Sequence, residues 1–151
     1  MTSSRRALIA VAAGAVLTLL GCPRRARDAA VPGDGQATLP ALGHEVGLTF
    51  PPTARLLGVS REHGMDDLVR FKVELRREDL AAFLAGAPVP PDAFEPGEGG
   101  LMGPDQGFWN PNRAASLRTG QAIHEDHRTL NIGIADGSPG TVFLYIVEHG
   151  T

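Results

Sequence analysis

From residue 69 to residue 75 apolar and charged side chains alternate without a break, Val69, Phe71, Val73 and Leu75 against Arg70, Lys72 and Glu74. A period of two sends one set to a core and the other to water, so residues 67–75 are expected as a half-buried strand. Residues 54–61 form a similar apolar run, and the intervening turn holds Gly64, so the two runs are expected as an antiparallel hairpin. Ahead of them, Val46, Leu48 and Phe50 alternate before Pro51-Pro52, which suggests a short edge strand. The period then changes. Leu80, Phe83 and Leu84 stand three and four apart, with Glu78 and Asp79 before them and Gly86 after, the boundary chemistry of a short helix over 77–85.

Between residues 87 and 107 lie five prolines and five glycines, which predicts a long loop. Asn110 as N-cap, Pro111 at the first helical position and Gly120 as stop then predict a second short helix over 111–119. Leu130, Ile132 and Ile134 alternate in 128–135, and Asp136-Gly137-Ser138-Pro139-Gly140 turns the chain into 141–149, the most apolar run after residue 20. A strand apolar on both faces belongs in the middle of a sheet. The expected fold is therefore α+β: one two-layer domain with a mainly antiparallel sheet of about five strands, one or two short helices and a long Pro/Gly-rich loop.

Composition adds limits to this picture. The chain has 151 residues, enough for one modest core. Its net charge is −3, and from residue 29 onward nine basic residues face sixteen acidic ones, a charge of −7. Nucleic-acid binding depends on neutralising phosphates, so nucleic acid is not an expected partner.

The first 45 residues read differently from the rest. Arg5 and Arg6 precede fourteen uncharged residues, 7–20, too few to span a bilayer of about 30 Å as a helix but suited to a signal-peptide hydrophobic region. That run closes with Leu19-Leu20-Gly21-Cys22, and Cys22 is the only cysteine in the chain. Basic start, short apolar run and boxed cysteine resemble the bacterial lipoprotein precursors. The resemblance covers residues 1–22. It implies a signal peptide at 1–21, cleavage before Cys22, acylation of Cys22 with palmitate or a similar chain, and a lipoprotein exported and held on a membrane of the cell envelope. Two or three acyl chains meet the requirement for stable anchoring. Residues 22–45, rich in Pro, Gly, Ala and charge, are expected as the anchor and a flexible tether, leaving 46–151 for the globular domain.

Catalytic signatures are absent from the sequence: it has no G-x-S-x-G, no phosphate-binding glycine loop and no G-x-G-x-x-G. The densest polar cluster is His124-Glu125-Asp126-His127. His124, Asp126 and His127, with His149 from a neighbouring strand, could ligate a metal, although histidines three apart also suit a surface turn. Glu62, His63, Asp66 and Asp67 form a second cluster, of the kind a solvated turn contains. Phe108 and Trp109 end the long loop, and Trp109 is the sole tryptophan. They are either an anchor in a partner's surface or a plug pinning the loop to the core, and the plug is favoured. Taken together, the expectation is a non-catalytic binding or interaction module without a cofactor, whose partners are the membrane, through acylated Cys22, and an envelope protein. Metal binding by His124, Asp126, His127 and His149, with or without catalysis, is the alternative.

Overall fold

Leu39, Leu42 and Val46 fall three and four residues apart, and the chain there winds into a two-turn helix, α1 (Leu39–Glu45). Thr38 caps it, its Oγ1 accepting from the Ala41 amide at 3.4 Å, and Pro40 lies in the first turn, where a missing N–H costs nothing. Leu42 and Val46 are fully buried. The computed structural model describes residues 37–64, 67–101 and 103–150; the expected signal segment, Cys22, residues 23–36 and Asp66 lie outside them. Residues 37–45 are therefore part of the folded domain, which corrects the expected tether boundary at 45. A stripe of three apolar residues is too short to stand out from the Pro/Gly-rich sequence around it.

Val46, Leu48 and Phe50 do not form the expected edge strand. Val46 ends α1, and the alternation that follows marks burial of an irregular segment: Leu48 is buried, while Phe50 stacks on Phe83 at 5.4 Å and meets Phe71 edge-on at 6.1 Å. The two alternating runs become β1 (Arg55–Glu62) and β2 (Asp67–Arg76), paired antiparallel as expected. A tight turn at Arg77–Asp79 leads into α2 (Leu80–Ala85), which buries Phe83. The long loop then carries a two-residue strand, β3 (Glu95–Pro96).

The helix expected over 111–119 is replaced by one turn at Pro111–Arg113 and by β4 (Arg118–Ile123). Asn110 does not cap that turn; its side chain is drawn away to groups on the sheet. Gly120 is no helix stop. It sits within β4 where a Cβ would press on Val89 at 2.6 Å and on the Phe94 ring at 3.2 Å, so the missing side chain lets the strand approach those two residues. β5 (Thr129–Asp136) and β6 (Thr141–Gly150) complete the chain.

Among the described residues six strands form one antiparallel sheet in the order β1-β2-β6-β5-β4-β3. The architecture is α+β, and β6 is interior, paired with β2 along ten residues and with β5 along eight. One face carries the main core, where Val73, Ile132, Leu144 and Ile146 pack beneath α1, α2 and the start of the long loop. Burying each such side chain contributes about 1.5–3 kcal/mol.

The other face was expected to meet water and does not. The chain from Leu101 to Leu117 lies across it, with Trp109 packed on Tyr145 and Val147. Arg70 and Lys72 are consequently only 5% and 6% exposed. Strand alternation reports two faces; it cannot report that a distant loop covers one of them. No helix of the described residues is long and apolar enough to cross a membrane.

Candidate functional site

On β6 the side chains of Val142, Leu144 and Ile146 enter the main core, and the same phase brings Glu148 to the end of that core. Its strand partners are Val69 on β2 and Leu130 on β5, so the carboxylate lies between apolar neighbours and is 4% exposed. Burial pushes its pKa up, opposed chiefly by the positive charge of Arg128. Nη1 of Arg128 donates to Glu148 Oε2 at 2.6 Å and to the Glu45 carbonyl at 3.0 Å, while Nε donates to Asp126 Oδ2 at 2.7 Å. One guanidinium thus joins the end of α1, the β4–β5 turn and β6.

Arg61 on β1 grips the Glu45 carboxylate in a fork, Nη1 to Oε1 and Nη2 to Oε2, each 2.6 Å. These hydrogen bonds hold the Glu45 carboxyl below its usual range. His124 approaches from the other side, its Nε2 3.3 Å from Glu148 Oε1. The two atoms are buried and in contact, but their alignment is not that of a hydrogen bond. A cleft of about 390 Å³ opens beside this network, bordered by Glu45, Arg61, Asp67, Arg128 and Glu148.

The four residues considered as metal ligands are not brought together. His124 and His127 flank a tight turn closed by the His127 amide donating to the His124 carbonyl at 3.0 Å, with His127 in the left-handed region at φ 67°. Asp126 and His127 are exposed, and the Asp126 carboxylate is engaged by Arg128, which lowers its pKa. His149 follows Glu148 directly on β6 and so projects from the opposite face of the sheet. Among the described residues no group of three or more His, Cys, Asp or Glu is placed to hold a metal ion. The other polar cluster also divides: Glu62 pairs with Arg70, while His63 and Asp67 face each other at 3.1 Å in solvent.

A second buried polar group lies under the loop on the far face. Lys72, the only lysine, donates from Nζ to Asn110 Oδ1 at 2.7 Å, and the Tyr145 hydroxyl donates to the same oxygen at 2.8 Å. The ammonium stands over the Phe143 and Tyr145 rings, 4.3 and 4.7 Å from their centroids. Burial lowers the Lys72 pKa, against the pull of Asp105, and raises that of Tyr145 to about 12. Trp109 meets Tyr145 edge-on at 5.4 Å and is 1% exposed. Its ring is thus buried beneath the loop, the position of a plug. Phe108, half-buried, packs where Gly58 of β1 lacks a side chain; a Cβ there would collide with its ring.

Sequence reading passed over Glu45, Arg61, Arg128, Glu148 and the Lys72 cluster. One signal for them was present: Glu148 stands in core phase within an otherwise apolar run.

No protein-family model, no curated protein and no solved structure matches the chain.

Proposed function

We propose that the chain is a membrane-anchored envelope lipoprotein, held through acylated Cys22, whose α+β domain is a non-catalytic binding module. The observation that carries this reading is the sequence of the first 22 residues, Arg5-Arg6 followed by an uncharged run closed by Leu19-Leu20-Gly21-Cys22. Its chemistry suits processing and acylation, and the acidic domain from residue 37 onward suits display in the aqueous part of the envelope.

The ionic network supports the binding half. Its charges answer one another: Arg61 to Glu45, and Arg128 to Glu148 and Asp126. Groups committed in this way define a rigid charged rim around a cleft and are poorly placed to carry protons or electrons in a reaction. A polar segment of an envelope protein is the partner such a rim would accept.

Growth of bacterial cells expressing the chain with an alkyne-bearing fatty acid tests the anchor. The native chain incorporates the label, and Cys22→Ser does not. Equal labelling of both, or of neither, contradicts the proposal.

A further inference from the structure

One side of the sheet ends at β1 and the other at β4, beside which β3 lies for only two residues. The directions of the β4 peptide groups follow from its neighbours. The His124 amide donates to the Arg128 carbonyl at 2.8 Å, so His124, and with it Ala122 and Gly120, faces β5. The Leu117 carbonyl accepts from the Gly97 amide at 3.0 Å, so Leu117, and with it Thr119, Gln121 and Ile123, faces the other way. β3 meets Thr119 at Glu95, and the chain before it leaves the sheet in the turn Pro91–Ala93. Gln121 and Ile123 therefore direct two N–H and two C=O groups outward, and no backbone hydrogen bond joins these to a described residue.

Open edges of this kind are normally blunted by charge, proline or a bulge. β1 shows such devices, with Arg55, Arg61 and Glu62 along it and a break of register between Leu56 and Gly58. Residues 119–123 hold no charge and no proline, and Ile123 is 70% exposed, the one large apolar side chain so exposed among the described residues. A second observation lies beside it. A groove of about 390 Å³ opens at the free edge, bordered by Ala93, Glu95, Thr119, Gln121 and Asn131. Asn131 is 1% exposed; its Oδ1 accepts from Gln121 Nε2 at 3.0 Å, while its Nδ2 has no hydrogen-bond partner among the described residues. Buried donors are rarely left in that state.

We infer that the free edge of β4 binds an extended peptide segment of another protein as an added antiparallel strand, with an apolar residue opposite Ile123 and, two positions later, a side-chain acceptor opposite Gln121. Only another extended backbone answers the N–H and C=O groups of such an edge, and residues opposite Ile123 and Gln121 share their face of the sheet, where Asn131 borders the groove. A second copy of this chain does not fit. In a symmetric antiparallel pair its β3, beside its own Thr119, would fall at the level of the β4–β5 turn. A single strand meets no such obstacle. This surface depends on neither the anchor at Cys22 nor the ionic rim around Glu148.

Titration of a fluorescein-labelled peptide, Lys-Thr-Val-Thr-Asn-Thr-Lys-amide, with the full chain purified in detergent tests the edge by anisotropy. Its valine is placed to pair with Ile123 and its asparagine with Gln121. The expected result is saturable binding. N-methylation of the valine and asparagine, whose N–H groups face β4, should weaken it by about tenfold or more, and N-methylation of the threonine between them by less than about threefold. Ile123→Lys, which adds an edge charge and leaves the backbone intact, should weaken it by about tenfold, as should Gln121→Pro, which removes an outward N–H, each with far-ultraviolet circular dichroism unchanged. Should Gln121→Pro fail to fold, Ile123→Lys decides. No binding at millimolar concentration, equal loss from the two methylation patterns, or native affinity in Ile123→Lys would overturn the inference. So would a dimer in sedimentation that Ile123→Lys dissolves, since the edge would then belong to a second copy.

Discussion

A single arginine, Arg128, decides whether a carboxylate can remain ionised at the end of the core. Burial raises the Glu148 pKa above its unfolded value of about 4.3, so taken alone this group favours the folded state when protonated. That contribution is complete below the unfolded value and is lost as pH rises through the folded one; at neutral pH the guanidinium offsets the loss. Arg128→Ala should therefore cost about 3 kcal/mol at neutral pH and less as pH falls toward the unfolded value of Glu148, as read from denaturant midpoints across that range. Glu45 and Asp126 behave in the opposite sense. Their folded pKa values are lowered, so what they contribute is present above their unfolded values and lost as pH falls through the folded ones. A pH-independent cost of Arg128→Ala would mean that Glu148 is not the group it serves.

At the scale of elements, the long loop is held to the sheet by Asn110, whose Oδ1 accepts from both Lys72 and Tyr145. Asn110→Ala leaves a buried ammonium and a buried hydroxyl without that acceptor, and should cost about 2–3 kcal/mol in urea unfolding. Lys72→Met removes the charge and keeps an apolar stem over Phe143 and Tyr145, and should fall within about 1 kcal/mol of the native chain. The reverse order of the two would show that the ammonium itself, and not its unmet need for an acceptor, governs the loop.

The same elements show how much the sequence reveals. β1, β2, β5 and β6 were legible because period two is a local pattern and each strand has one face on the core. β4 was not, because Asn110, Pro111 and Gly120 mimic the punctuation of a helix, while the groups that actually claim them, Lys72, Tyr145, Val89 and Phe94, are far along the chain. Of the candidate site, Glu148 was visible as a charge in core phase. Its partners were not, since Glu45, Arg61 and Arg128 come together only through the register of four strands and the end of α1. The burial of Lys72 could be read only once the loop was known to cross its face.

Over the whole molecule, a sheet covered on both faces, closed at one end by an ionic network and carrying an excess of negative charge, is a self-sufficient domain that needs no disulfide. The chain's one cysteine is thus available for another purpose, and we propose from its setting in Leu19-Leu20-Gly21-Cys22 that this purpose is an anchor. That claim organises everything else proposed here: where the domain is displayed, and which partners it can meet. Mass spectrometry of the mature amino-terminal peptide from bacterial cells tests it most directly. The account predicts a peptide that begins at Cys22 and carries the added mass of two or three acyl chains, with no trace of residues 1–21. An unmodified Cys22 inside a peptide that still contains Leu20-Gly21 would contradict it.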